Sequence, residues 1–286
     1  MPTDSKILGT DNHDRDSAGL TYVYPVISRR AGGLSIGINL NPNNACNWRC
    51  VYCQVPDLKR GTAPAIDMRK LERELCDFLE QLLFGNFMQQ HVPLEARIIH
   101  DIALSGNGEP TSASEFADII TLLGDVIQRF PLPATLKLRL ITNGSLIHRA
   151  TVQAGLRQMA QLNGEVWFKV DSATKTGRLK INHTRSSLQQ MRQNLQLSAS
   201  LCPTWLQTCV FNWNGLAPDD NEIQAYLHFV RTMLRAGIDI KGVLLYSLAR
   251  PSLQDEADNL SCASKDWMEQ FANSIRELGI AVQVSV

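Results

Sequence analysis

The hydrophobic positions along the chain follow two alternating patterns. Short, nearly continuous apolar runs are followed by longer segments in which apolar residues recur every three or four positions. The short runs are typical of buried strands, and the longer segments are typical of amphipathic helices. Strands are therefore predicted at "LSIGINL", "RIIHDIAL", "LKLRLIT", "EVWFKV", "TWLQTCVF" and "KGVLLYSL". A Pro-interrupted run, "TYVYPVIS", precedes them, and "AVQVSV" follows as a final strand.

The helical segments lie between these runs. The spacing predicts helices near residues 67–84, 146–161, 185–198, 219–236 and 264–278. One more is predicted to open at "SASE", where Ser112 and Glu115 have the spacing of a capping box. Gly237 and Gly279 follow the last two helices and are expected to end them.

This order of elements predicts an α/β fold. Strands that alternate with helices of this length form βα units around a parallel sheet. Six such units follow one another, whereas a complete barrel needs eight. We therefore predict a partial (β/α)6 barrel with a C-terminal helix and a final strand. The polar segment 1–18 is expected to be a flexible tail, and 19–286 a single core domain, because no Pro/Gly/Ser-rich linker divides the chain.

The charge balance narrows the function classes. The chain has 28 basic and 28 acidic residues, so its formal net charge is zero. Neutrality gives no support for bulk binding to a nucleic-acid backbone or to an anionic membrane, although a local basic patch stays open. No run approaches the roughly 20 apolar residues of a membrane span, and the polar first residues lack an export signal. We expect a cytoplasmic protein with no membrane partner.

Three of the seven cysteines fall within "CNWRCVYC", as Cys46, Cys50 and Cys53. Thiolates bind zinc or iron–sulfur clusters. A structural zinc ion takes four protein ligands, whereas three thiols on a cubane cluster leave one iron open. A zinc site completed by a distant ligand, and a redox pair within Cys50 and Cys53, are the alternatives. The remaining cysteines are interpreted as buried thiols: Cys76, Cys202, Cys209 and Cys262.

Glycines and polar residues follow four of the later strands. In a barrel the segments after the strands lie together at the C-terminal face, where binding sites gather. Each also has a plain interpretation: a Gly-rich or Asn-Gly turn, an edge lysine, or a solvated arginine. The candidates are Gly106, Gly108 and Glu109 after the second strand, Asn143 after the third, Lys169 and Asp171 at the fourth, and Arg250 after the sixth.

The motif "CNWRCVYC" resembles the signature of the radical S-adenosylmethionine (SAM) superfamily, including the aromatic Tyr52 before the last cysteine. The resemblance implies a 4Fe-4S cluster on Cys46, Cys50 and Cys53, whose fourth iron chelates SAM. One electron would cleave SAM to methionine and a 5′-deoxyadenosyl radical that abstracts a substrate hydrogen. "SGNGEP" resembles a Gly-Gly-Glu-type motif that holds the SAM amino group, from which Asn107 departs. Tyr52 and the strand-end candidates named above are thereby candidate cofactor contacts.

Further motifs resemble single-domain radical SAM proteins related to wyosine-base synthases, which modify a guanine in tRNA. They are "SGNGEPT", "LITNGSL", "KVDSAT", "INHT" and "YSLARPS". The resemblance implies an RNA base or a small molecule as substrate, and an electron donor such as flavodoxin or ferredoxin. Zero net charge weakens the case for a tRNA substrate. No cysteine precedes Cys46, so the second cluster of some such proteins is not expected here. The alternative function is a zinc- or iron–sulfur-binding module that does not cleave SAM.

Overall fold

A computed structural model describes residues 7–9, 19–28 and 32–285, so most of the predicted tail lies outside the described residues. The described strands are β1 (Val23–Ser28), β2 (Gly33–Ile38), β3 (Ala45–Cys46), β4 (Lys59–Arg60), β5 (Ile99–Leu104), β6 (Lys137–Thr142), β7 (Gly164–Lys169), β8 (Thr204–Cys209), β9 (Phe211–Trp213), β10 (Ile240–Tyr246), β11 (Leu260–Cys262) and β12 (Val282–Ser285). The described helices are α1 (Met68–Leu83), α2 (Phe87–His91), α3 (Phe116–Arg129), α4 (Ala150–Gln161), α5 (Lys175–Asn182), α6 (Leu188–Leu201), α7 (Asp220–Arg235) and α8 (Lys265–Arg276).

Eight strands form one curled sheet in the order β1-β2-β5-β6-β7-β8-β10-β12. Only β1 runs antiparallel to its neighbour; every other pairing in the sheet is parallel. The six predicted strands appear in sequence order as β2, β5, β6, β7, β8 and β10. The predicted partial barrel of α/β type, with a last helix and strand, is confirmed.

The apolar stripes of the helices face the sheet. Leu71 and Leu75 of α1 and Phe116 and Leu123 of α3 are fully buried, in one hydrophobic core with the strand side chains. The helices therefore cover the convex side, and the concave side is left to line a cavity.

Helix α3 begins differently from the prediction. The capping box at Ser112 and Glu115 is wrong, because Glu115 precedes the helix without a side-chain cap. Residues Pro110–Ser112 form a short 3-10 turn instead. The Ser112 hydroxyl donates to the Glu109 carbonyl at 2.6 Å and accepts from the Ala63 amide at 2.9 Å. Contacts to distant residues thus outweigh the local capping pattern.

Helix α5 was not predicted by the periodicity. Its sequence, "KTGRLKIN", is short and mostly polar, so it carries little periodic signal. The Thr174 hydroxyl accepts from the Gly177 amide at 2.8 Å and fixes its start. His183, with φ of +47°, ends it in the left-handed region. The last residues of this helix contact the segment that carries the three cysteines.

Among the described residues, no helix combines the length and apolarity needed to cross a lipid bilayer.

Candidate functional site

A cavity of about 260 Å³ opens where the carboxyl ends of the parallel strands meet. Its wall contains ten of the eleven predicted site residues: Cys46, Cys50, Tyr52, Cys53, Gly106, Gly108, Glu109, Asn143, Lys169 and Arg250. Asp171 is the exception. It lines a neighbouring cavity and contacts the Tyr52 side chain from behind. The structure thus brings the strand-end candidates together, as the parallel sheet predicts.

The cysteine loop, residues 39–58, follows β2 and is held by segments far away in the sequence. The Val51 amide donates to the Ile181 carbonyl at 2.8 Å, at the end of α5. The Leu253 amide donates to the Cys53 carbonyl at 2.9 Å. Strand β3, which contains Cys46, pairs with β4 beyond the loop. The loop is therefore held at Cys46, Val51 and Cys53.

The thiols of Cys46, Cys50 and Cys53 are partly buried. Burial raises the pKa of Cys46 to about 12 and that of Cys50 to about 11. The Asn182 side-chain amide lies 3.3 Å from the Cys50 sulfur, and the Trp48 backbone amide lies 3.4 Å from the Cys46 sulfur. A metal that binds these thiols must displace their protons, and both N–H groups are placed to stabilise the resulting thiolates.

Gly106 and Gly108 allow the loop after β5 to press against the cysteine loop. A Cβ atom on Gly108 would lie 2.1 Å from the Ala45 carbonyl oxygen. A Cβ atom on Gly106, whose φ is +138°, would lie 2.4 Å from the Asn39 side-chain oxygen. That same Asn39 oxygen accepts from the Asn107 amide at 3.0 Å. Asn39 is thus a site residue that sequence reasoning missed; its only signal was the Asn-rich, loop-prone run.

The Glu109 carboxylate joins the ends of β5 and β6. It is 2% exposed, and one of its oxygens accepts from the Thr111 and Thr142 hydroxyls, each at 2.6 Å. The other oxygen accepts from the Asn143 amide at 2.7 Å. Burial raises the pKa of Glu109, although these hydrogen bonds partly lower it. A contact between Glu109 and a cofactor amine stays a prediction. The motif did not indicate that Glu109 also connects β5 to the end of β6.

Two further amides extend this wall of the cavity. The Asn143 side-chain amide donates to the Asn47 side-chain oxygen at 2.7 Å, which ties β6 to the cysteine loop. The Asn107 side-chain oxygen is buried and has no hydrogen-bond partner among the described residues. A buried acceptor in that state fits an N–H donor supplied by a ligand, such as an ammonium group.

Lys169 points into the cavity, not along a sheet edge. Its ammonium donates to the Tyr52 hydroxyl at 3.0 Å and lies 4.9 Å from the centre of the Tyr52 ring. Burial opposes its charge, but the acidic groups of Tyr246 and Asp171 outweigh burial and raise the pKa of Lys169 above its ordinary value. Lys169 therefore stays charged at neutral pH and belongs to a chain of contacts with Tyr52 and Asp171.

The segment after β10, residues 249–256, lies over the cysteine loop. The Ser252 hydroxyl donates to the Val51 carbonyl at 2.6 Å, and the Gln54 side chain donates to the Arg250 carbonyl at 3.2 Å. Arg49, inside the cysteine motif, pairs with Glu256 at 2.8 Å. The motif "SLARPS" thus contributes a support for the loop through Ser252, as well as the cavity-lining Arg250.

Polar side chains at the floor of the cavity form hydrogen bonds and ion pairs with one another. The Arg139 guanidinium contacts Asp101, and it donates to Glu165 at 2.7 Å. The Trp167 indole N–H donates to the same Glu165 oxygen at 2.9 Å. Burial raises the pKa of Asp101, although Arg139 lowers it. Periodicity could not reveal this network, since it depends on which strands become neighbours.

The other four cysteines differ from one another. Cys202 and Cys209 are buried, as predicted, and Cys76 is partly buried. Cys262 is exposed, so the buried-thiol interpretation is wrong there. It lies in β11, a two-stranded pairing with β9 outside the main sheet, which the sequence pattern did not predict.

No family model matches the chain, but curated relatives match part of it. UPF0026 protein MJ1312 of Methanocaldococcus jannaschii is 31% identical over 165 residues, which is 57% of this chain and 44% of that protein. UPF0026 protein slr1464 of Synechocystis is 26% identical over 52% of this chain and 48% of that protein. GTPase Obg of Brachyspira hyodysenteriae is 26% identical over 54% of this chain and 20% of that protein. The matches thus span less than half the length of each relative.

Solved structures are similar over most of the chain. TYW1 with a lysine–pyruvate adduct bound superposes with a TM-score of 0.56 at 12% identity, over 86% of this chain and 74% of that one. A radical SAM methyltransferase from Sphaerobacter thermophilus gives 0.59 at 11% identity, over 88% and 66%. A spore photoproduct lyase variant with bound AdoMet gives 0.51 at 11% identity, over 87% and 75%. The chain therefore has the partial-barrel fold of the radical SAM enzymes, as its cysteine motif predicted.

Proposed function

We propose that the chain is a radical SAM enzyme in which Cys46, Cys50 and Cys53 hold a 4Fe-4S cluster. The observation that supports this most is that all three thiols face one cavity at the carboxyl end of the barrel. When bound, the cluster would supply the electron for reductive cleavage of SAM to methionine and a 5′-deoxyadenosyl radical, which would take a hydrogen atom from the substrate. The chain's part is to hold, orient and shield these groups.

The number of thiols in the loop favours a cluster over zinc. A structural zinc ion takes four protein ligands. The loop supplies three cysteines, Cys46, Cys50 and Cys53. Three thiolates on a cubane cluster leave one iron open for a further ligand, which suits a cavity that SAM would enter.

The remaining cavity residues suit the polar ends of SAM. Two acceptors suit its amino group: the Asn107 side-chain oxygen, which has no partner in the described part of the chain, and the Glu109 carboxylate. Lys169 and Arg250 are cations in the same wall and suit its carboxylate. Tyr52 and Asp171 act through Lys169 and hold its ammonium in place. These assignments rest on the cavity wall and on the chemistry of the donors.

The substrate and the electron donor belong to the same proposal. An RNA base or a small molecule would occupy the part of the cavity that SAM leaves open. A flavodoxin or ferredoxin would supply electrons, and the cytoplasm would keep the cysteines reduced. GTP hydrolysis is not proposed despite the relative named GTPase Obg. The chain contains no Gly-Lys pair, and a phosphate-binding GxxxxGK[ST] loop needs one.

The test is the metal content of protein reconstituted with iron and sulfide without oxygen. We expect about four irons and four sulfides per chain in the wild type. Replacing Cys46, Cys50 or Cys53 by Ala should abolish iron retention, whereas the exposed Cys262→Ala should retain it. Iron retained in all three cysteine variants, or zinc bound in place of iron, would contradict the proposal.

A further inference from the structure

Gln207, on β8, has a buried side-chain carboxamide. The residue is 1% exposed. Both its side-chain nitrogen and its side-chain oxygen lack a hydrogen-bond partner among the described residues. A carboxamide offers two donors and two acceptor positions, and burying it unpaired is costly. Native proteins pair the large majority of their buried polar groups, so an unpaired one calls for an explanation.

The side chain of Gln207 faces the cavity that holds the candidate site. Alternate residues of β8 point to opposite sides of the sheet. Thr208 points outward, where its hydroxyl contacts the Tyr226 hydroxyl of α7 at 2.7 Å. Gln207 therefore points inward, and it forms part of the cavity wall together with Cys209.

The neighbours of Gln207 are already engaged with other partners. Lys169 lies beside it in register on β7, but its ammonium is directed to the Tyr52 hydroxyl. Leu244 lies beside it on β10 and has no polar side-chain atom. The Arg139 guanidinium on the floor is paired with Asp101 and Glu165. The free donor and acceptor of Gln207 are thus left for a ligand.

The chemistry of a carboxamide defines its partner. A side-chain amide presents an N–H donor and a C=O acceptor in one plane, and it binds a planar edge that carries an acceptor beside a donor. Glutamine pairs with nucleobase edges in this way. A charged ligand group would suit it less well, because carboxylates only accept and ammonium groups only donate.

We propose that Gln207 forms two hydrogen bonds with the edge of a nucleobase bound in this cavity. The inference deepens the proposed function, since it assigns the chemical class of a ligand within the same site. Two sources share this chemistry: the adenine of SAM, and a base of the substrate. The cavity geometry identifies Gln207 as the residue that pairs with the base. Binding experiments distinguish the adenine of SAM from a base of the substrate.

The test uses Gln207→Met, which keeps the length of the side chain and removes its polar atoms. The matched control is Gln196→Met, on the exposed face of α6. Reconstituted proteins are titrated with SAM, and then, with SAM present, with adenosine, guanosine, cytidine and uridine. We expect Gln207→Met to bind one of these probes at least about tenfold more weakly than wild type, and Gln196→Met to bind all of them equally. Weaker binding of SAM identifies its adenine as the partner, and weaker binding of a nucleoside alone identifies a substrate base.

A second measurement does not depend on any ligand. Because the carboxamide has no partner, an apolar side chain of the same shape is expected to leave the thermal midpoint of the free protein unchanged or higher. A lower midpoint for Gln207→Met would show that the amide serves the fold, and would overturn the proposal. The proposal would also be overturned if wild type and Gln207→Met bound every probe equally, or if neither bound any probe.

A failure of the cluster assignment can be told apart from a failure of the Gln207 proposal. Wild-type protein that holds no iron contradicts the cluster assignment. Nucleoside binding and thermal stability of the Gln207→Met protein still report on the carboxamide in that case, since neither readout requires SAM cleavage.

Discussion

The Tyr52 hydroxyl donates a hydrogen bond of 2.5 Å to the Asp171 carboxylate, joining the cysteine loop to the end of β7. Asp171 also accepts from the Asn182 side chain at 2.7 Å and from the Cys209 amide at 3.0 Å. The same Asn182 amide reaches the Cys50 sulfur. One carboxylate therefore connects an aromatic ring, a helix end and, through Asn182, the Cys50 thiol. Asp171 and Tyr52 are positioning residues by this geometry.

Tyr52→Phe is expected to loosen this connection without abolishing the fold. It removes the donor to Asp171 and the acceptor for Lys169, both partly buried, and should lower the free energy of unfolding by about 1–3 kcal/mol. Reconstituted Tyr52→Phe should also release iron to a chelator faster than wild type. Tyr226→Phe, which loses a hydrogen bond to Thr208 on the other side of the sheet, should be destabilised but release iron at the wild-type rate. Equal release from both variants would contradict the role of Tyr52.

Gly108→Ala is expected to displace the cysteine loop. The new Cβ atom would lie 2.1 Å from the Ala45 carbonyl oxygen, so either the loop or the strand end must move. We expect a loss of about 1–3 kcal/mol from overpacking and a lower iron content after reconstitution. The control is Gly279→Ala, which has a φ of +84° and open space around it. It should cost about 1–2 kcal/mol from backbone strain alone and leave iron content unchanged. Full iron content in Gly108→Ala would show that this contact does not set the loop position.

These two variants illustrate what the sequence could and could not predict. The strands and most helices followed from periodicity, and the βα order predicted that the loops with the strand-end candidates share a face. Helix α5 did not follow, because eight mostly polar residues carry no periodic signal. The contacts of Gly106 and Gly108 with the cysteine loop also did not follow. The sequence shows that glycine occupies these positions, but it does not show which atoms leave no room for a side chain. Those atoms belong to Asn39 and Ala45.

Ser252, in the segment after β10, holds the cysteine loop by a hydrogen bond to the Val51 carbonyl. Ser252→Ala removes the donor to the buried Val51 carbonyl, and should cost about 1–2 kcal/mol of stability. Because Val51 lies between Cys50 and Cys53, we also expect faster bleaching of the reconstituted cluster in air. Ser200→Ala is the control, since this serine is exposed near the end of α6. Bleaching rates that match in wild type and Ser252→Ala would contradict a supporting role for residues 249–256.

The stability of the protein is expected to fall in alkali, and Cys202 is one of the buried thiols that contribute. Burial raises the pKa of this thiol from 9.0 to about 12, so the folded state keeps its proton while the unfolded chain loses it. Stability therefore decreases as the pH rises from about 9 to about 12. By about pH 10 the loss is on the order of 1 kcal/mol.

Urea unfolding at about pH 8 and about pH 10 measures this loss. Cys202→Ala should be less stable at both values because it leaves a cavity, but its stability should change less between them. Cys262→Ala, at an exposed position, should show the same pH dependence as wild type. A pH dependence that Cys202→Ala leaves unaltered would assign the alkaline loss to other groups.

The measurement that tests the central claim most directly is the formation of 5′-deoxyadenosine. Protein reconstituted without oxygen is reduced with dithionite and mixed with SAM and an extract of RNA and small molecules, and the products are separated by chromatography. We predict 5′-deoxyadenosine from the wild type and none from Cys50→Ala. Its absence from wild-type protein that carries a full 4Fe-4S cluster and binds SAM would contradict SAM cleavage by this chain.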